Sequence, residues 1–284
     1  MISFAHSYWT GPIDGERQGY DSSRRWISHL YCFALSATYI KKLGYDINLY
    51  ADEKTLKMFK DFPYSKFIEV DLSNTANPEF WAQSKFYALK KMDLGEIHID
   101  GDVFIKHPDF MKLIDLESDV NFQSFEAGNM IMSESCQLSR DFMKDIDFGD
   151  VFKPSEVMPI CNTGVIQINN QELKDKYINN YFSSIDKMDK AGITKNMSRK
   201  INPDIILEQL SLHQICNYYN YKLNPIFNTT AGPYLKVNEY MYVHLISDKK
   251  YIMLPLVKKW LQELNPSLYE KLLPIEKEIL GCSD

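Results

Sequence analysis

The sequence lacks any run of about 20 apolar residues, which is the length needed to cross a bilayer. It also lacks a charged N-terminal segment followed by an apolar one, the pattern of a secretory signal. These absences predict a soluble cytoplasmic protein with no transmembrane segment. Cysteines are scarce: the five are scattered, and no pair has the CxxC spacing of a zinc ribbon or a thioredoxin-type redox centre.

An excess of positive charge is also absent, since 32 Lys and Arg stand against 38 Asp and Glu for a net charge of −6. Such a chain does not coat nucleic acid through bulk charge, so we predict no nucleic-acid partner. Phosphate groups would need a local site. With no internal repeat and no Pro/Gly/Ser-rich linker, we predict one domain over residues 1–255, with a helical extension over residues 256–284 packed on it.

The sequence does contain alternating strand and helix signals. A short apolar strand at residues 2–5 precedes a helix that starts at Asp21 or Ser22 and stops at Gly44. The segments INLYAD and KFIEVDL then predict two strands separated by a short helix. This order is typical of an α/β protein with a mostly parallel sheet flanked by helices. Later signals predict strands at 121–125, 130–132 and 165–169 and helices near the end.

The most informative segment is EIHIDGDVFIKHP, in which an apolar strand delivers Asp100, Gly101 and Asp102. Ligands bind at such strand ends in open α/β sheets. Two carboxylates this close repel each other unless a cation lies between them. Mg²⁺ and similar ions take one or two carboxylates and complete their shell with substrate phosphates. The pattern therefore favours a metal–diphosphate site, and the alternative is an acidic surface turn.

Together with the helix FWAQSKFYALKKM before it, this segment resembles the metal-dependent glycosyltransferases of the GT-A fold, in particular families 8 and 32. The resemblance implies a Rossmann-like nucleotide-binding half and a retaining transferase that uses Mn²⁺ or Mg²⁺. It places Asp102 on the metal, Asp100 on the metal and the ribose, and Lys85 near the donor sugar and phosphates. A solvated helix face is the alternative for Lys85.

Three later segments fit the same families. CNTGVIQIN resembles the strand that lines the sugar pocket, and LEQLSLHQICN resembles a helix entered through an Asp-Gln pair. YVHLISDKK resembles an HxxGxxK segment, with Ser247 in place of the glycine. The resemblance implies that Asn162, Thr163 and Gly164 contact the donor or the acceptor and that Glu208 and Gln209 lie near the anomeric carbon. It also implies that His244 is a third metal ligand and that Lys250 contacts the diphosphate.

At the N-terminus, HSYWTGP follows the first predicted strand, where these families bind the base and ribose. The resemblance therefore implies that His6, Tyr8 and Trp9 contact uracil. The implied function is transfer of a sugar from a UDP-sugar, or another nucleotide sugar, to a glycan or polysaccharide acceptor.

Two other functions remain open. The IDGDV segment also matches the first motif of haloacid dehalogenase-like phosphatases, in which the first Asp is the nucleophile. A catalytically inactive protein that binds nucleotide sugars is the second alternative. Among single residues, His244 could instead be a hydrogen-bonded core histidine, and Trp9 could merely pack its loop.

Overall fold

The computed structural model describes residues 2–11, 22–72, 80–126, 133–194, 201–228, 241–246 and 249–281. The expected strand at 130–132 and the predicted departure at Ser247 lie outside these ranges. Within them, no helix combines the length and the apolar character needed to cross a membrane. A cytoplasmic location stays a prediction.

Strands and helices alternate from the first strand to Ile99, and the order is mixed after that. The strands are β1 (Ser3–Tyr8), β2 (Asp46–Ala51), β3 (Lys66–Glu69), β4 (Ile97–Ile99), β5 (Val103–Ile105), β6 (Val120–Glu126), β7 (Ile160–Ile168), β8 (Leu223–Pro225) and β9 (Tyr242–His244). The α-helices are α1 (Ser22–Lys42), α2 (Glu53–Met58), α3 (Gln83–Lys91), α4 (Glu134–Met143), α5 (Gln171–Lys190), α6 (Ser211–Tyr219), α7 (Lys249–Ile252), α8 (Leu254–Leu264) and α9 (Pro266–Ile279). A 3₁₀-helix covers Pro108–Leu113 and a π-helix covers Ile205–Leu210.

The predicted fold class is confirmed: the protein is a mixed α/β protein with a mostly parallel seven-stranded sheet, flanking helices and C-terminal helices. The chain divides into two compact units. The first unit holds residues 1–74, 99–111 and 236–284, and the second holds 75–98 and 112–235. The predicted boundary at residue 255 stays a prediction.

The first unit contains the strand run β3-β2-β1, in which both pairings are parallel. The β1–β2 register continues from Ser3 opposite Asp46 to Tyr8 opposite Ala51, so the first strand is longer than the apolar run 2–5 suggested. The run of apolar side chains therefore predicts a strand that is shorter than the observed one. Helix α1 buries Leu30, Ala34 and Ala37 completely, which are spaced for one helix face.

Helices α8 and α9 belong to the first unit and contact α1. The Tyr31 hydroxyl of α1 donates a 2.7 Å hydrogen bond to Glu276 of α9. Lys258 of α8 pairs with the same carboxylate and lies over the Tyr31 ring. The C-terminal helices are thus held to α1 by a polar network as well as by buried Val257, Leu261 and other apolar residues.

The second unit contains the strand run β4-β7-β6-β8. Strand β6 pairs antiparallel with β7 and parallel with β8. All residues of β7 are buried, so this nine-residue strand lies in the core of the unit. In the same unit, the ring of Phe86 in α3 stacks on Tyr181 of α5, with 3.6 Å between the ring centroids. These helices carry or support the polar cluster described below.

Candidate functional site

The chain turns sharply directly after β4, at Asp100, Gly101 and Asp102. The Val103 amide donates to the Asp100 carbonyl at 3.0 Å, which closes the turn. A Cβ on Gly101 would lie only 2.0 Å from the Phe33 ring of α1. Glycine is therefore required here because the ring occupies the space of a side chain.

The β5–β9 ladder brings His244 to this turn. Val103 pairs with His244, and the Leu245 amide donates to the Asp102 carbonyl at 3.0 Å. As a result, one ligand atom each from Asp100, Asp102 and His244 lies within 4.8 Å of the others. His244 Nε2 is 3.4 Å from Asp102 Oδ1. We call these three residues the acidic centre.

Lys250 of α7 lies against the acidic centre, where its Nζ donates a 2.8 Å hydrogen bond to Asp102 Oδ2. Burial acts to raise the pKa of Asp102, but the charge of Lys250 and the hydrogen bond from His244 outweigh it and hold that pKa well below its ordinary value. Burial likewise acts to lower the pKa of Lys250, and Asp102 raises it on balance. Both groups are charged at neutral pH.

The acidic centre fits a hard or borderline divalent cation. Its donors are two carboxylates and one imidazole, the set that Mn²⁺ accepts readily, while Ca²⁺ prefers oxygen alone. All three residues are partly exposed, so further ligands could reach an ion there. Metal binding by this centre and a diphosphate contact by Lys250 stay predictions.

His29 of α1 is a residue that the sequence analysis missed. Its Nδ1 is hydrogen-bonded to the Tyr8 hydroxyl at 2.9 Å. Burial, followed by the charges of Lys250 and Arg25, lowers its pKa well below the usual value, and Asp102 opposes this shift. The ring is therefore neutral at pH 7. Only the four-residue spacing of Arg25, His29 and Phe33 could have indicated from sequence that they share a helix face.

The three residues expected to contact a base differ in exposure. His6 is completely buried, with its ring nitrogens hydrogen-bonded to Tyr64 at 2.7 Å and Ser36 at 3.0 Å. Tyr8 is also buried, and its ring stacks on Phe59. The half-exposed Trp9 ring would lie 2.1 Å from a Cβ on Gly11. Base binding by His6, Tyr8 and Trp9 stays a prediction, which the burial of His6 does not favour.

The second unit carries a buried ion pair between Lys85 of α3 and Glu208 of the π-helix. The Lys85 Nζ lies 2.6 Å from Glu208 Oε1 and donates to the Thr163 carbonyl at 3.1 Å. The Thr163 hydroxyl donates to the same Oε1 at 2.6 Å. Lys85 is 3% and Glu208 0% exposed, so the alternative of a solvated helix face for Lys85 is wrong.

Two acceptor oxygens of the π-helix have no hydrogen-bond partner within the described part of the chain: Glu208 Oε2 and Gln209 Oε1. Both residues belong to the π-helix, a helix type that occurs frequently at functional sites. Buried acceptors without donors are costly, so such atoms indicate a ligand or water. Contact of Glu208 and Gln209 with a sugar stays a prediction.

Both polar atoms of the Asn162 side-chain amide, on β7, are hydrogen-bonded. Its Nδ2 donates to Glu126 Oε1 at 2.6 Å, and its Oδ1 accepts from the Gly164 amide at 2.9 Å. The carboxylate of Glu126, on the neighbouring strand β6, was not singled out from the sequence. Donor or acceptor contacts by Asn162, Thr163 and Gly164 stay predictions.

Comparisons with known proteins add a family and a structural likeness. The model of a family described as "Family of unknown function (DUF6734)" matches residues 2–275. No curated protein matches the chain significantly. Among solved structures, the chain is similar to the glycosyltransferase GlyE of Streptococcus pneumoniae TIGR4, with 12% identity and a TM-score of 0.35. The match covers 79% of this chain but 45% of that one, so the chain spans less than half of its length.

Proposed function

The chain belongs to this family of unknown function, DUF6734, and we propose that it is a metal-dependent glycosyltransferase. It moves a sugar from a nucleotide-sugar donor, a UDP-sugar, to a glycan or polysaccharide acceptor with retention. The observation that carries the proposal is the acidic centre, where Asp100, Asp102 and His244 meet beside the ammonium of Lys250.

Breaking a bond between a sugar and a diphosphate leaves negative charge on the diphosphate, and groups aimed at that charge accelerate the reaction. A divalent cation on the acidic centre, Mn²⁺ or Mg²⁺, would supply Lewis-acid stabilisation of this charge. The Lys250 ammonium, which donates to Asp102, would donate to diphosphate oxygens and add a positive charge. The low pKa of Asp102 keeps its carboxylate ionised for this role.

The residues of the second unit suit recognition of hydroxyl groups. Glu208 Oε2 and Gln209 Oε1 are acceptors, and a sugar hydroxyl is a donor. Lys85 and Thr163 both bond to Glu208 Oε1, which fixes the carboxylate, and because Glu208 is completely buried a sugar hydroxyl would reach Oε2 only after neighbouring side chains move. We therefore assign Glu208 and Gln209 to binding of sugar hydroxyls, and we name no general base.

The test is incubation of the protein with a panel of nucleotide sugars and Mn²⁺, with release of the nucleoside diphosphate as the readout. We expect wild-type protein to release UDP and Asp102→Asn to lose at least about a hundredfold in rate, since it removes a metal ligand. Asp109→Asn removes the same charge from a partly exposed site in the same unit and is the matched control.

The outcomes separate the candidate functions. Phosphate release from small phosphomonoesters without UDP release would support the phosphatase. Thermal stabilisation by UDP and Mn²⁺ without turnover would support the inactive binding protein. Wild-type turnover by Asp102→Asn would refute the proposed site.

A further inference from the structure

His29 and Arg25 have no role in the function proposed so far. They lie one helical turn apart on α1, so their side chains share a face of the helix. The Tyr8 hydroxyl engages Nδ1 of His29. Within the described part of the chain, Nε2 of the same ring has no hydrogen-bond partner, although the residue is only half-exposed.

The contacts of α1 place His29 beside the acidic centre. The Ser36 hydroxyl donates to the Val103 carbonyl at 2.6 Å, and the Phe33 ring lies against Gly101. His29 precedes Phe33 by one turn, and their ring centroids are 6.5 Å apart. The helix face that packs along the Asp-Gly-Asp turn therefore continues to His29 and then to Arg25.

The electrostatics agree with this placement. The charges that act on His29 are those of Lys250, Arg25 and Asp102, all of the first unit. Yet among the described residues the group of ligand atoms within 4.8 Å of one another includes His244 and not His29. His29 is thus near the acidic centre without being part of it, which suits contact with a ligand attached to the ion.

Phosphate is the ligand class that these groups recognise. Arg carries five N–H donors in a planar fork that matches phosphate oxygens. In the tautomer in which Tyr8 donates to Nδ1, the proton of the neutral His29 ring lies on Nε2, where it can be donated to an anion. Two carboxylates and one divalent cation leave no net positive charge at the acidic centre, so donors beside it add to the attraction of a phosphate.

We propose that His29 Nε2 and the Arg25 guanidinium bind phosphate oxygens of the ligand at the acidic centre, with Tyr8 as the residue that positions the His29 ring. The inference rests on the proposed function in requiring a phosphate-bearing ligand there. Inorganic pyrophosphate with Mn²⁺ is the smallest ligand of this class. It lacks a base and a sugar, so it reports on phosphate contacts alone.

The experiment measures binding of Mn²⁺ alone and of pyrophosphate with saturating Mn²⁺ by isothermal titration calorimetry. The amide oxygen of Asn can replace Nδ1 of His as the acceptor for Tyr8, and the amide nitrogen of Gln can replace Nε2 as the donor. His29→Asn should therefore keep the Tyr8 contact and weaken pyrophosphate binding about tenfold to a hundredfold, while His29→Gln should retain most of it. Arg25→Gln should weaken binding by a similar factor.

Arg24→Gln is the matched control, since Arg24 is exposed, adjacent and of the same charge. We expect it to leave pyrophosphate binding within about twofold, and we expect all four variants to bind Mn²⁺ alone at least as tightly as wild type. Circular dichroism and melting temperature establish that each variant is folded.

Equal losses in Arg24→Gln and Arg25→Gln would show bulk charge and overturn the inference. The inference is also overturned if His29→Asn and Arg25→Gln both bind pyrophosphate as tightly as the wild type, or if the wild type does not bind it. The proposed function is judged separately, by UDP release and the Asp102→Asn variant. Pyrophosphate binding that needs His29 and Arg25, in a protein that releases no UDP, would sustain this inference and refute the proposed function.

Discussion

The Lys85–Glu208 ion pair allows a stability prediction that needs no substrate. Lys85→Met removes the ammonium and leaves the Glu208 carboxylate, which is completely buried, with the Thr163 hydroxyl as the donor that remains to Oε1. Removing one partner of a buried pair costs about 3–5 kcal/mol, because an uncompensated charge stays in the interior. We expect Lys85→Met to lower the free energy of unfolding by this amount.

The size of the effect in a melting experiment follows from chain length. An unfolding entropy of about 2.1 cal/mol/K per residue gives about 0.6 kcal/mol/K for 284 residues, so a 4 kcal/mol loss lowers the melting temperature by about 7 °C. Differential scanning calorimetry measures this shift. Lys57→Met breaks an exposed pair with Glu53 of 2.7 Å, and as the control it should cost less than about 0.5 kcal/mol.

The double variant Lys85→Met/Glu208→Gln completes a double-mutant cycle. A neutral amide in place of Glu208 removes the buried charge. The double variant should therefore lose at least about 2 kcal/mol less stability than the two single variants lose together. Additive losses, or equal losses in Lys85→Met and Lys57→Met, would refute the reasoning that a buried charge dominates at this position.

Two more predictions concern the first unit. Gly101→Ala should destabilise the protein by about 1–3 kcal/mol in urea unfolding, because the new Cβ meets the Phe33 ring at 2.0 Å. Adding Phe33→Leu to this variant should recover part of the loss. Burial lowers the pKa of His6 to about 3, so between pH 6.5 and pH 3 the unfolded chain binds a proton that the folded protein does not. Stability should therefore fall as the pH falls from 7.5 to 5, and His6→Gln should make this fall smaller by about 2 kcal/mol in urea titrations; equal pH slopes in both proteins would contradict the burial argument.

The sequence predicts those parts of the fold that depend on local pattern. The helix predicted from Asp21 or Ser22 to Gly44 corresponds to α1, because its apolar spacing matches a buried face. The predicted strand before Asp100 is β4, and the acidic turn follows it directly. Strand ends were less predictable: β1 continues to Tyr8 because backbone pairing with β2 continues past the apolar residues.

Contacts between distant segments could not be predicted from pattern. Lys85 and Glu208 are 123 residues apart, and only the fold of the second unit brings them close enough to form an ion pair. Asp204 stands at the start of the π-helix, and its carboxylate accepts from the Ala82 amide and the Tyr181 hydroxyl rather than capping that helix. His29 was missed because its partner Tyr8 lies on another element, 21 residues away in sequence.

The pairing of Val103 with His244 has a consequence for biosynthesis. Residues 102 and 244 are 142 positions apart, so at about 5–20 residues per second a ribosome makes the aspartates roughly 7–28 s before the histidine. Throughout that interval the nascent polypeptide carries two neighbouring carboxylates with neither imidazole nor ammonium to accompany them. The His244 imidazole and the Lys250 ammonium can join the aspartates only after residue 250 has been made, so the ion binding proposed for the acidic centre would be completed after synthesis of that segment.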